Sequence, residues 1–221
     1  MQRTWNVMEF GAKPDGESDN TEAFQRALNA AGDARGGIVQ VPAGRFAFDG
    51  SLRIPLAVTL AGTFGYSPAH AGYRDAGKPR NDYGTALLPR GGQGSEEGEP
   101  FILVGENATL QGVLIHHPLQ EPDAEAPTPY PFAIAMRGNN PAVIDIELLN
   151  AYQGIDARQN QRALIRNVHG QPIKMGVWVD AIYDIGRIEN VHWNPWWSYE
   201  TPVWRWQLDH GTAFRFARTD W

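Results

Sequence analysis

Aliphatic and small polar residues alternate along this chain in short runs, and between Val143 and Val191 one run recurs. The unit is an aliphatic residue, any residue, a small polar residue and a β-branched aliphatic. Its copies are Val143-Ile144-Asp145-Ile146, Ile165-Arg166-Asn167-Val168 and Ile188-Glu189-Asn190-Val191, spaced 22 and 23 residues apart. Gly154-Ile155-Asp156 and Gly176-Val177 repeat with the same 22-residue step. A weaker copy, Leu110-Gln111-Gly112-Val113, lies 33 residues upstream, and the excess falls on a Pro-rich insert from Pro118 to Pro131. A period of 20 to 30 residues built from β-branched runs describes a solenoid whose coils stack on one another. No apolar 3.6 period runs through these segments, and a fixed Leu scaffold is absent, so the repeated units are strands. The pattern predicts an all-β parallel β-helix. Asp145, Asn167 and Asn190 are then expected to stack at one bend, where side-chain amides satisfy backbone groups of neighbouring coils.

The first fifty residues read differently. Asn6 to Phe10 alternates towards a strand, and Gly11 to Gly16 forms a loop with an Asp-Gly turn signal. Asp19-Asn20-Thr21-Glu22 predicts a capping box with Asp19 at the N-cap. The helix that follows runs to about Ala31, with Ala23, Phe24, Ala27, Leu28 and Ala31 as its apolar face. Such a helix is expected to plug the open end of the solenoid core. Polar loops from Thr63 to Thr85, with His70, Tyr73, Arg74 and Arg80, and from Gly91 to Glu99 interrupt the later strands. The insert carries Glu121, Asp123, Glu125 and Tyr130. Long solenoid loops shape the binding face.

Several of these residues also carry a resemblance. Asn6-Val7, Phe10-Gly11-Ala12, Pro14-Asp15-Gly16, Ser18-Asp19-Asn20-Thr21, Ala23-Phe24-Gln25 and Ala27-Leu28 are similar to the opening of the pectate lyase superfamily. Gly36-Gly37, Val39, Val41-Pro42-Ala43-Gly44 and Phe46 extend the likeness. The resemblance implies a right-handed parallel β-helix with a short N-terminal capping α-helix. It also implies an activity among polygalacturonase-like hydrolases, exo-glucanases, polysaccharide lyases and tailspikes. The shared residues build the cap and first coil, so they point to fold rather than reaction. Polygalacturonase-like enzymes share an Asn-Thr-Asp, an Asp-Asp pair, a Gly-His-Gly and an Arg-Ile-Lys. Here the first two are absent, His169-Gly170 lacks its leading Gly, and Arg187-Ile188 runs into Glu189. Those catalytic roles do not carry over.

At 221 residues the chain is expected to form one domain, 1–221, with a cap to about residue 35 and coils beyond. The C-terminal run Phe214 to Trp221 looks like a coil in progress. The expectation is a truncated product, or an end covered by another copy in a homo-oligomer. A net charge of −6 argues against nucleic acid as a partner, while a locally basic groove for acidic sugars remains compatible with it. No apolar run is long enough to span a membrane, so no membrane partner is expected. With no cysteine, disulfides, thiol catalysis and thiolate metal sites are excluded. No signal-peptide core follows Met1, and a secreted or periplasmic location is inferred from the resemblance alone.

Sugar cleavage by hydrolysis needs a carboxyl proton donor and a second carboxylate, whereas a lyase needs a base and a cation beside a uronate carboxyl. Asp156 and Asp180 each close a strand and precede Ala, so they are the first candidates for catalysis, with Asp184 third. The step from Asp156 to Asp180 is 24 residues rather than 22, and bend capping explains both equally simply. Arg158, Lys174 and His192 are candidates for binding an acidic sugar. Seven of the eight tryptophans lie in the last third, and Trp196, Trp197 and Tyr199 are the candidate sugar platforms. Core filling is the competing explanation. The partner is expected to be a polysaccharide or oligosaccharide. No cofactor is expected, with Ca2+ reserved for a lyase. A glycoside hydrolase stands ahead of a polysaccharide lyase, and the alternative is a non-catalytic carbohydrate-binding or tailspike-like module, or an inactive fragment.

Overall fold

The computed structural model describes residues 3–67 and 84–219, with the side chain of Trp196 outside that description. His70, Tyr73, Arg74, Arg80 and Trp221 also lie outside the described residues. The short alternating runs become parallel strands that coil into a right-handed β-helix with three walls. The first wall holds β1 (Thr4–Asn6), β3 (Gly37–Gln40), β6 (Val58–Ala61) and β9 (Thr109–Gln111), then the leading halves of β13 (Ala142–Leu149), β16 (Leu164–Gly170) and β18 (Arg187–Trp193). The second wall holds β2 (Asp15–Asp19), β4 (Gly44–Phe48), β7 (Thr85–Pro89) and β10 (Leu114–His116), then the trailing halves of β13, β16 and β18. The third wall is a separate sheet of β5 (Leu52–Ile54), β8 (Ile102–Val104), β11 (Phe132–Met136), β14 (Gln153–Arg158), β17 (Met175–Asp180) and β19 (Thr212–Phe216). Two short strands, β12 (Gly138–Asn139) and β15 (Asn160–Gln161), pair at the corner after it.

Period-2 alternation sends every second residue inward. Ile134, Ile155 and Val177 stack in register and are fully buried, as are Val143 and Val168 on the other walls. The outer face of the second wall is also apolar. Ala47, Ala86, Leu88, Leu114 and Leu149 form a satellite cluster there, covered by Phe64 and Trp197.

Between the first and second walls the chain turns at a single residue. Asp145, Asn167 and Asn190 hold φ of 58°, 52° and 51°, and Gly112 occupies the same place one coil earlier at φ 69°. This left-handed conformation is open to Gly and tolerated by Asn and Asp. The expected ladder forms: Asn190 donates to Asn167 at 2.9 Å, and Asn167 donates to Asp145 at 2.8 Å.

The N-terminal cap departs from expectation in two places. Asn6 ends β1 and its side chain accepts the Met8 amide at 2.9 Å, which folds Val7–Phe10 into a 3-10 turn instead of a strand. Helix α1 spans Thr21–Asp33 with Asn20 at the N-cap, not Asp19. Asn20 is buried, and its side chain bonds Lys13, Ser18 and Ala47 main chain, tying the helix entry to β4. Glu22 makes an exposed pair with Arg26 rather than closing a capping box. The apolar face is as expected: Ala23, Phe24, Ala27, Leu28 and Ala31 are buried, and Phe24 packs edge-on against Phe46 and Phe48. At the other end, β19 pairs with β17. Beyond the last pairs the core opens into a cavity of about 500 Å³ lined by Ile165, Val179, Ile182, Ile188 and Phe216. Helix α2 (Pro202–His210), which the pattern did not announce, has Thr201 as its N-cap and lies at the corner between the second and third walls, where Gln207 bonds Gln171 and Pro172 and Trp206 meets Tyr152.

The ladder makes a graded prediction. Asn167→Ala removes two amide bonds and puts a Cβ residue without a local hydrogen bond into the left-handed region, so it should cost about 2–4 kcal/mol in urea denaturation. Asn167→Gly keeps the allowed φ and should cost roughly half as much. Equal losses for the two would refute the conformational part of this account.

Candidate functional site

The outer face of the third wall carries a groove of about 460 Å³. Its floor is set by strand alternation: Ile155 and Ala157 point inward, so Asp156 and Arg158 point out. Register then places Ala135 and Trp178 on either side of Asp156. The loop from Glu96 to Pro100 forms one bank, and Arg137 and Arg158 lie on the floor around Asp156.

Asp156 is only 3 % exposed and sits between two guanidinium groups. Arg137 Nη2 donates to Oδ2 at 2.5 Å, and Arg158 Nε donates to Oδ1 at 2.7 Å. Arg158 adds its Nη2 at 3.0 Å and its own main-chain N–H at 3.0 Å. Burial is the largest single influence on this carboxyl and would raise its pKa, but the bonds from Arg158 and Arg137 together hold it below its ordinary value. Arg137 Nη1 also donates to the carbonyls of Met136, Asp156 and Arg158, which fixes the guanidinium across two coils.

The aromatic floor is engaged too. The Trp178 ring is flanked by Arg158 at 4.0 Å and Arg215 at 4.2 Å, both cation–π distances. At the entrance edge Tyr152 and Lys174 occupy equivalent positions on adjacent coils, joined by the Lys174 N–H to Tyr152 carbonyl bond of 2.8 Å. Both hold Glu96: Tyr152 Oη donates at 2.7 Å and Lys174 Nζ makes a short ion pair. Lys174 and Tyr152 hold the Glu96 carboxyl below its usual range. Burial, with the Glu96 contact, pushes the Tyr152 hydroxyl up, so it stays a donor.

The residues singled out from sequence are scattered by this geometry. Asp156 and Arg158 lie in the groove and Lys174 at its edge. Asp180 does not stack on Asp156: Arg158 is opposite it, two residues along the strand, and Arg218 binds it through two bonds of 2.7 and 2.6 Å. Those bonds lower its pKa. The two aspartates therefore do not form the stacked pair that a common strand-end position would give. Asp184 sits at the corner after the third wall, half exposed, paired with Arg162 at 2.7 Å. His192 is on the second wall, its ring 5.9 Å from His169. Trp197 covers the apolar outer face of the second wall, and Tyr199 packs 5.3 Å from Trp204. Trp196 lies by its backbone in the turn Pro195–Ser198, its side chain outside the described residues. Sequence reasoning passed over Arg137, Glu96 and Tyr152. A signal for Arg137 existed: Ile134-Ala135-Met136-Arg137 and Ile155-Asp156-Ala157-Arg158 share an Ile-to-Arg spacing one coil apart. Among the described residues no three His, Asp or Glu side chains converge as a metal site.

Comparison with known proteins agrees with this fold. Residues 4–84 match the family described as Rhamnogalacturonase A/epimerase, pectate lyase-like. The chain is 36 % identical over 115 residues to Alginate lyase 7 of Azotobacter vinelandii, a match covering 43 % of this chain and 13 % of that enzyme. The chain thus spans a small part of that relative's length. In structure it is similar to a candidate glycosyl hydrolase from Parabacteroides merdae, at TM-score 0.53 and 15 % identity, covering 99 % of this chain and 95 % of the other. It is also similar to PfbA, a surface adhesin of Streptococcus pneumoniae, at TM-score 0.55 and 14 % identity, covering 82 % and 49 %. The resemblance to the pectate lyase superfamily is borne out: the family match and the β-helix structures are what this chain is similar to. A fold shared by a hydrolase candidate and an adhesin does not select a reaction.

The ion pairs of Asp156 predict an acid-labile contribution to stability. Because the folded pKa lies below the ordinary 3.8, the contribution is complete above pH 3.8 and is lost as pH falls through the folded value. Asp156→Asn should cost about 1–3 kcal/mol at neutral pH, discounted for the partly exposed arginines. Its melting temperature should converge on that of the parent protein as pH falls below 3.8. A deficit that stays constant across that window would contradict the ion-pair assignment.

Proposed function

We propose that this carbohydrate-active β-helix takes an acidic polysaccharide, a polyuronate, lengthwise along the third-wall groove, and that cleavage there runs by elimination ahead of hydrolysis. The observation that carries the reading is the pair of arginines, Arg137 and Arg158, fixed one coil apart on the groove floor around Asp156. Planar guanidinium groups recognise carboxylates in two-pronged fashion, and coil stacking repeats them along the path of a chain of charged sugars. The likeness to an alginate lyase supports the same substrate class.

Hydrolysis is the less favoured chemistry because it needs one carboxyl that remains protonated at working pH. Asp156, Glu96 and Asp180 are each ion-paired with their pKa lowered, which is the opposite tuning. Elimination instead passes the C5 proton of a uronate to a base, forms the C4–C5 double bond and breaks the C4–O bond, the leaving oxygen taking up a proton, while cations at the uronate carboxylate stabilise the anion that forms on the way. This reverses the order expected from sequence. A second reading, binding without turnover, draws on the same engagement of Asp156 and Glu96.

Isothermal titration with polygalacturonate and polymannuronate should show binding that weakens with salt. Arg137→Ala and Arg158→Ala should each lower the affinity roughly ten- to a hundred-fold, while their melting curves report any loss of fold. Ultraviolet absorbance from unsaturated uronates would identify elimination. New reducing ends without that absorbance would refute it, and binding with neither product would leave the second reading standing.

A further inference from the structure

Glu96 is the one carboxylate on the groove bank that reaches across two coils to find its partners. Its carboxylate accepts from Tyr152 Oη at 2.7 Å and pairs with Lys174 Nζ, and its own carbonyl accepts from Gln153 Nε2 at 2.9 Å. Gly94 N–H donates to the Pro129 carbonyl at 2.9 Å, and within the loop Ser95 Oγ donates to the Glu97 carbonyl at 2.8 Å and accepts the Glu97 N–H at 3.0 Å. The segment around it, Gly91 to Gly98, is exposed and carries positive φ at Gly92, Gly94 and Gly98. Tyr152 and Lys174 immediately precede the third-wall strands β14 and β17, while the carboxylate that accepts from them belongs to an exposed loop. Tyr152 and Lys174 therefore form a pocket of one neutral donor and one cation that a loop carboxylate fills.

The geometry points to an internal substrate mimic: Lys174 and Tyr152 are a carboxylate subsite of the third-wall groove, and Glu96 occupies it in the free protein, so a uronate carboxylate must displace Glu96 to bind there. The inference rests on the polyuronate reading and adds to it a subsite and a competitor within the chain. The subsite lies on the same wall as Arg137 and Arg158 and at the edge of the same groove, so one acidic chain reaches both. Lys174 also stands 5.6 Å from the Tyr152 ring, and Trp206 lies 6.0 Å from that ring on its other neighbour α2, giving the subsite an aromatic side. A sugar placed there meets a donor, a cation and apolar rings together. Occupation by Glu96 lowers the fraction of binding-competent protein and raises the apparent Kd by the same factor.

The test is titration of polygalacturonate and polymannuronate into the full chain and into Glu96→Gln, Lys174→Gln and the double variant, with circular dichroism melts as the folding control. Glu96→Gln keeps the side-chain size and removes the competing charge. It should bind about tenfold more tightly than the parent, as expected if the open form is near one tenth of the population. The gain should disappear in the double variant and on a neutral, fully methyl-esterified polymer. Amide exchange should show the Gly91 to Gly98 segment losing protection when the parent protein is saturated with ligand. Unchanged or weaker binding by Glu96→Gln, in a protein whose affinity still falls with Arg158→Ala, would overturn the mimic and leave the groove reading intact. No binding of either polymer by the parent or by Glu96→Gln would overturn both.

Discussion

The structure depends on turning the chain between two walls within one residue while every inward aliphatic row stays aligned. A coil that slips by one position sends its core residues to solvent, because strand faces alternate with a period of two. The left-handed residue at Gly112, Asp145, Asn167 and Asn190 fixes that register at the same place in four successive coils. Once it is fixed, the identity of a side chain at one coil constrains the side chain above it. Aliphatic rows gain from this repetition, and the amide ladder gains from it as well, since Asn167 donates to one neighbouring coil and accepts from the other.

Charged residues do not gain from it. Like groups on neighbouring coils stand about 4.8 Å apart, where two unit charges repel by roughly 3–4 kcal/mol at an effective dielectric near 20. Arg137 and Arg158 are in that position, and Asp156 lies against both of them. The same arrangement continues along the wall, where Trp178 separates Arg158 from Arg215 and offers each a ring face. The groove is thus a row of cations made tolerable by one aspartate and one indole. Glu96 adds a further carboxylate at its edge, held by Tyr152 and Lys174, so the loop bank completes the charge balance of the groove.

Much of the fold was legible because β-helix periodicity is a property of the sequence itself. The three copies of the aliphatic-polar unit, the amide ladder and the buried face of α1 all appear in the structure where the pattern put them. The helix entry was misread because Asn20 turns inward to bond Lys13, Ser18 and Ala47, partners that are distant in sequence. The site was less legible for a related reason. Trp197 looked like an exposed platform until the apolar outer face of the second wall appeared beneath it. Asp180 looked like the mate of Asp156 because both end in Asp-Ala, but a two-residue difference in strand position gives each its own arginine. Groove loops carry no period, so Glu96 had no marker.

That two-residue offset sets the ionisation of both aspartates. Stacked at one position, two aspartates would share a field and one of them would hold a proton, the arrangement hydrolysis uses. Offset, with Arg137 and Arg158 on one and Arg218 on the other, each settles as an ionised partner in a separate ion pair. The wall that results is organised to meet negative charge, not to deliver protons. The coil repeat that made the protein foldable is also what sets Arg137 and Arg158 one coil apart on that wall, the feature on which the proposed polyuronate reading rests.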